Sequence, residues 1–329
     1  MEGGLITVAK PYEIIDNSGI QTAPLSDRKS KVSREAFGKP WRPGGSYSNF
    51  LDSLPDFLAA SDLKAVIEAV VKAVNNQKPV MWAMGAHVIK VGLNPILIDL
   101  MEKGVIRSIS TNGAAIIHDS EIALAGKTSE FVDQSLGSGG FGMARETADF
   151  LSKAIKSAEA KSMGLGQAVG EAILEDALPY AQDSIFAAGA RLGVPMTVHV
   201  AMGTDIIHMH PDFDPKAAGA ATHRDFLVFA NLVSGLSQGV FLNVGSAVVM
   251  PEVFLKALSL ARNLGAKVGG FTTVNMDFMR HYRPTVNVVN RPTMEGGRGI
   301  HLTGHHEIMV PLLAAGVLEG LAAAKADKE

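Results

Sequence analysis

From residue 61 onward, apolar positions along the chain follow two alternating rhythms. Leu63, Val66, Ile67, Val70, Val71 and Val74 recur at helical spacing behind Ser61 and Asp62, either of which is placed to cap a helix. The short, uniformly apolar run 79–84 reads as a buried strand. Residues 95–103 return to helical spacing and end at Gly104, and 105–110 read as the next strand. Further helices are expected over 145–160, 166–180, 183–192, 222–234, 251–264 and 307–324, and further strands over 194–200, 240–244 and 267–274. Strands separated by helices imply parallel pairing through helical crossovers. The expected fold is α/β: a doubly wound, Rossmann-like, mostly parallel sheet of at least five strands, with helices on both faces. No internal repeat is evident.

Residues 1–55 break this rhythm. They hold Pro11, Pro24, Pro40, Pro43 and Pro55 and the basic cluster Arg28-Lys29-Ser30-Lys31. They read as an irregular N-terminal arm, docked on the body or a neighbouring subunit, or else as a loose tail. Residues 56–329 are then a single domain.

Composition narrows the class. Of 329 residues, 47% are hydrophobic and 19% charged, with a net charge of -3, which excludes disorder for most of the chain. A pI of 6.4 argues against a broad nucleic-acid-binding face. The absence of cysteine removes disulfides, thiolate nucleophiles and cysteine-ligated metals, and suits a reducing cytoplasm. No basic-then-apolar leader opens the chain. The best membrane candidate, 308–324, is interrupted by Pro311 and Glu319 and falls short of about 20 clean apolar residues. The expectation is a soluble, cytoplasmic protein with no membrane partner.

Three motifs invite chemistry. Gly137-Ser-Gly139-Gly-Phe-Gly142 matches the G-x-G-x-x-G pattern, but the segment before it reads as helix rather than strand, so it is taken as a decoy. Thr111-Asn112-Gly113-Ala114 and Gly245-Ser246-Ala247 each follow a strand. Small residues at strand ends are either ordinary tight turns or room for a nucleotide, which in open α/β sheets lies outside the carboxyl ends of the strands. His199, Asp205, His208, His210, Asp212 and Asp214 crowd one segment, with His305, His306 and Glu307 elsewhere. They are compatible with a hydrogen-bonding substrate pocket, with structural histidines, or with a metal site if ligands converge.

The spacing of these blocks resembles the deoxyhypusine synthase family over roughly residues 75–323. The likeness runs through His87-Val-Ile-Lys-Val-Gly92-Leu93, Ser110-Thr-Asn-Gly113, Gly203-Thr-Asp205-Ile-Ile-His-Met-His210, Val244-Gly-Ser-Ala-Val-Val249 and Pro311-Leu-Leu313. The resemblance implies a Rossmann-like sheet, bound NAD, a homotetramer with interface sites, and transferase chemistry on a polyamine. It places cofactor contacts on His87, Lys90, Thr111, Asn112, Gly113, Gly245, Ser246, Ala247, Asn275, His305 and His306. Asp205 falls where the family holds a substrate amine, and His208 or His210 would serve as base. Lys90 would be an electrophile partner or imine former, or else a phosphate contact or surface charge.

Departures matter as much. Pro251, Val200 and His305 stand where the family has a histidine and two acids. Between Lys267 and Lys325 there is no lysine, and the stretch 284–292 offers only Arg291. A guanidinium stays protonated and cannot form the family's enzyme imine. The expected function is an NAD-binding, deoxyhypusine-synthase-like enzyme acting on an amine or polyamine-like substrate without making deoxyhypusine. The rivals are a metal-dependent hydrolase using His208 and His210, and a non-catalytic nucleotide-binding assembly protein.

Overall fold

A computed structural model describes residues 12–326; Pro11, expected in the arm, lies outside them. The chain divides into two units, Met1–Phe37 and Gly38–Glu329. In the first, residues 12–37 carry two 3-10 turns, Leu25–Asp27 and Arg34–Ala36, and no buried side chain. The second unit begins earlier than the expected boundary at residue 56. Ser46 and Asn49 form a reciprocal capping box that starts α1 (Tyr47–Ser53). The Tyr47 hydroxyl donates to the Leu312 carbonyl at 2.5 Å, which ties this helix to the body.

The elements then alternate: α2 (Leu58–Asn75), β1 (Val80–Met84), the single turn α3 (His87–Lys90), α4 (Asn94–Glu102), β2 (Ser108–Asn112) and α5 (Gly113–Ala125). A helical excursion follows through α6 (Val132–Ser135), α7 (Arg145–Ala160), α8 (Leu165–Glu175) and α9 (Ile185–Leu192) before β3 (Met196–His199). The chain continues through α10 (Pro215–Ser234), β4 (Val240–Val244), α11 (Val249–Asn263), β5 (Thr272–Asp277) and the turn α12 (Tyr282–Pro284). A π-helical stretch, Thr285–Asn290, precedes β6 (Arg298–Thr303) and α13 (His306–Ala326).

Among the described residues, six strands pair in parallel in the order β3-β2-β1-β4-β5-β6. This is the doubly wound arrangement, and the strand order reverses between β1 and β4. Alternate residues of β1 feed opposite cores. Val80, Trp82 and Met84 join the aliphatic cluster under α2 and α13, while Met81 and Ala83 join Phe241, Phe254 and Phe271 beneath α10 and α11.

β3 is an edge strand, and its outward amides are covered rather than left open. Asp225 Oδ2 on α10 accepts the amides of Val198 (2.8 Å) and Gly166 (2.9 Å), and Thr222 Oγ1 accepts that of Val200 (3.0 Å). Asp119 Oδ1 accepts the Ile185 amide at 3.0 Å and so secures the start of α9.

α13 is long and apolar enough to cross a membrane, with mean hydropathy 1.6. It packs along α2 and buries His306, Val310, Leu313 and Val317 in the core.

Two strands sit later than expected. β2 starts at Ser108 because Val105 and Ile106, though buried, belong to the loop that leads into it. β5 starts at Thr272, and β6 was not foreseen. The helix before β1, α2, starts at Leu58, ahead of Ser61 and Asp62 in sequence, so neither residue caps it.

Candidate functional site

Strand register aligns Val198, Thr111, Met84, Val244, Met276 and Leu302 in one row across the sheet. One position further on stand His199, Asn112, Gly85, Gly245, Asp277 and Thr303. The centre of this last row, at the strand-order reversal, is therefore glycine flanked by polar residues.

Neither glycine can be replaced without a clash. A Cβ on Gly85 would lie 2.5 Å from the Gly245 carbonyl oxygen. Gly245 has φ +65°, and a Cβ there would lie 2.6 Å from Cε1 of His306. Both glycines are thus required by the packing of the β1 and β4 ends on each other and on His306.

Polar atoms without partners surround this crevice. Thr111 Oγ1, Asn112 Oδ1, Asn243 Oδ1 and His306 Nδ1 are buried and unpaired. Unpaired buried polar atoms are costly, so a cluster at one end of a sheet marks a place for a ligand. His306 Nε2 lies 3.3 Å from the Met276 carbonyl, which can only accept, so the ring carries its proton there and offers Nδ1 as an acceptor. Burial lowers its pKa, against the pull of Asp277 at 4.0 Å. The His87 ring stands 5.3 Å away, edge to face.

Beside the crevice, Asp205 and His208 come from the short 3-10 turn after β3. Asp205 lies against the first residue of α5, where a Cβ on Gly113 would fall 2.0 Å from its Oδ2. Only glycine fits there. Asp205 Oδ2 and His208 Nε2 are both unpaired and 4.0 Å apart. Burial pushes the Asp205 carboxyl up to about 6.

His208 Nδ1 accepts the amides of Gly203 (3.0 Å) and Asp205 (3.2 Å), so the neutral ring presents Nε2–H, a donor. The expectation that His208 acts as base is corrected on this ground: its lone pair is already used. His210 differs: its Nε2 lies 2.8 Å from the Gly142 carbonyl, which can only accept, so this ring donates there and keeps its lone pair on Nδ1.

A cavity of about 210 Å³ opens next to Asp205, lined by Lys90, His118, Glu121, Glu130 and Phe141 among others. Glu121 accepts from the Thr128 hydroxyl, which also meets His118 Nδ1 at 2.6 Å. Burial works to raise Glu121, but the His118 and Thr128 hydrogen bonds outweigh it and hold the carboxyl below the usual glutamate range. Glu130 accepts the Gly142 amide at 2.8 Å. Of the glycine-rich segment 137–142, Phe141 lines this cavity and Gly142 bonds Glu130, and helix rather than strand directly precedes the segment.

Other candidates fall less centrally. Asn275 Oδ1 accepts from Asn243 Nδ2 at 2.7 Å, inside the sheet, so its oxygen is taken. His305 is exposed and stacks on Phe278 at the rim. Ser246 Oγ accepts the Met250 amide at 3.2 Å and starts α11, and Ala247 lies half-buried beside it. Among the described residues no three His, Asp or Glu side chains converge as metal ligands, so the hydrolase reading lacks a ligand set. Gly85, Asp277, Glu121 and Glu130 escaped sequence reading. Gly85 directly after an apolar run was the one legible signal.

Fold and site define a Rossmann-like parallel α/β protein with a polar, glycine-centred crevice at its switch point. No protein-family model matches the chain, and no curated protein matches it. Solved structures do. The ternary complex of AgrE with ornithine and NAD+ aligns at TM-score 0.52 and 16% identity, over 81% of this chain and 34% of that one. ArgZ, an arginine dihydrolase from the ornithine-ammonia cycle in cyanobacteria, aligns at 0.51 and 14%, over 81% and 33%. A candidate deoxyhypusine synthase from Entamoeba histolytica aligns at 0.53 and 12%, over 86% and 96%. This chain spans about a third of the first two proteins. At these identities the likeness establishes a related fold.

Proposed function

We propose that this protein binds NAD in the crevice between β1 and β4 and oxidises a small amine held beside it by Asp205. The observation that carries the reading is the set of four unpaired buried polar atoms ringing Gly85 and Gly245 at the switch point. Neighbours of the same fold that were solved with NAD+ and ornithine, or described as a deoxyhypusine synthase, support it.

The residues present fit the cofactor. Thr111, Asn112, Asn243 and His306 would pair with its polar groups. Asp277, at the end of β5, would accept from a hydroxyl. Bound NAD supplies a two-electron acceptor for hydride from the carbon bearing the amine. Asp205, as carboxylate, would orient the ammonium and take its proton, and His208 would donate from Nε2 to a polar substrate atom. His306 Nδ1 would accept a hydrogen bond in the crevice.

The same reading holds that no deoxyhypusine is made. Residues 285–290 form the π-helical stretch, and Arg291 directly after it donates back to Asn287 at 3.0 Å. No amine nucleophile comes from this side. A homotetramer is part of the proposal, and light scattering should report about four times 34.7 kDa.

The test incubates protein and NAD with a panel of small amines and amino acids and follows reduced nicotinamide. Turnover on at least one is expected, with no label passing from spermidine to an initiation-factor acceptor. Absence of both turnover and NAD binding would remove the proposal.

A further inference from the structure

The cavity beside Asp205 holds charges of both signs that do not neutralise one another. Asp205, Glu121 and Glu130 contribute three carboxyls, and Lys90 contributes an ammonium. Among the described residues Lys90 has no hydrogen-bond or ion-pair partner, and none of the three acids pairs with a lysine or arginine. Glu121 and Glu130 are held by hydroxyls and a backbone amide. Asp205 is only 8% exposed and its Oδ2 has no partner.

Facing charges normally collapse into ion pairs or pay for desolvation, so their separation across one cavity favours a ligand that carries both signs. Part of the lining is apolar. Ala114, Ile117 and Phe141 form that part, and Ala114, Ile117, His118 and Glu121 share one face of α5 at helical spacing. At about 210 Å³ the cavity holds roughly seven waters at about 30 Å³ each, the scale of a small metabolite.

We infer that the cavity binds a zwitterionic amino acid with an amine at the end of its side chain. Lys90 takes the carboxylate, and the Asp205 and Glu121 carboxyls take the two amines. A polyamine, all cation, would leave Lys90 repelling it, and a plain carboxylate would leave the acids unmatched. This deepens the proposed function by naming the substrate class, and it rests on that reading for which amine lies next to the crevice.

Calorimetry on the full chain compares three probes: L-ornithine, putrescine (the same skeleton without the carboxylate) and L-norvaline (without the terminal amine). Ornithine should bind about tenfold tighter than either, the effect of one charge-assisted hydrogen bond. Lys90→Ala, at an exposed position, should erase the advantage over putrescine, and Glu121→Gln the advantage over norvaline. Ornithine binding with these preferences in a protein that ignores NAD would sink the oxidation proposal and keep this inference. Putrescine or spermidine binding as tightly as ornithine, or no probe binding at millimolar concentration while NAD binds, would overturn the inference and leave the NAD site standing.

Discussion

The crevice over β1 and β4 and the cavity beside α5 adjoin the same end of the sheet but are built from different materials. The crevice is mostly backbone and neutral polar atoms (two glycines, a buried neutral imidazole, two amide oxygens and a hydroxyl), with the single carboxyl of Asp277 beside them. The cavity is charged side chains on a partly apolar wall. A surface rich in uncharged acceptors suits the hydroxyl and amide donors of a large polar ligand lying outside the strand ends. Separated charges suit a small ligand gripped at its ends. The contrast assigns cofactor to one compartment and substrate to the other, and it can be broken from either side.

The largest effect should come from the crevice. Gly245→Asp should abolish NAD binding while ornithine binding survives, because the new side chain enters the space of His306 and places an anion over the switch point. Unfolding curves separate this from collapse of the fold. Pairing Gly245→Ala with His306→Ala frees the contact and should recover folding even if affinity stays low.

From the other side, Asp205→Asn should weaken amine affinity about 10- to 100-fold, the range of a hydrogen bond to a charged group, and leave NAD affinity unchanged. Loss of both ligands together would merge the two compartments into one site.

pH sharpens the same comparison. Burial raises Asp205 to about 6, so the carboxylate that holds an ammonium is lost as pH falls through that value. Amine affinity should rise with pH up to about 6 and then level off, whereas NAD affinity should not follow this curve. In Asp205→Asn the rise should disappear.

The smallest effect concerns the frame. Asp225, which covers the edge of β3, is raised to about 7 by burial, above its ordinary 3.8. The folded state therefore favours its protonated form, and its stabilising contribution is complete below about 4 and declines as pH rises through about 7. Asp225→Asn keeps an acceptor oxygen for both amides and should be neutral or stabilising above pH 7. Asp225→Ala should cost about 1–3 kcal/mol in chemical denaturation.

How much of this was legible follows from which residues were apolar. β4 was read end to end because Val240–Val244 is a compact hydrophobic run, and Arg145–Ala160 because its apolar stripe repeats cleanly. β5 was placed too early, because one of its two buried faces is the polar Thr273, Asn275 and Asp277, and counting apolar positions shifts the strand towards Val268 and Phe271. β6 was missed for a related reason: Arg298, His301 and Thr303 make an edge strand look like loop.

At the site, strand-end turns such as Thr111–Gly113 and Gly245–Ser246 could be seen in the chain, as could the cluster around Asp205. Which histidine nitrogen is free could not, because it depends on the amides of Gly203 and Asp205 and the carbonyls of Gly142 and Met276. Glu121 and Glu130 could not either, since their role comes from a loop folding back from residues 128–142 onto α5.

The central claim is that the switch point between β1 and β4 binds a dinucleotide. Titrating NAD into the wild-type protein by calorimetry, with Trp82 fluorescence followed in parallel, tests it most directly. Trp82 is buried in β1, two residues before the strand ends at Met84. One site per chain with a dissociation constant in the micromolar range or tighter is expected, and Gly245→Asp should eliminate it. No heat and no fluorescence change up to millimolar NAD would contradict the account.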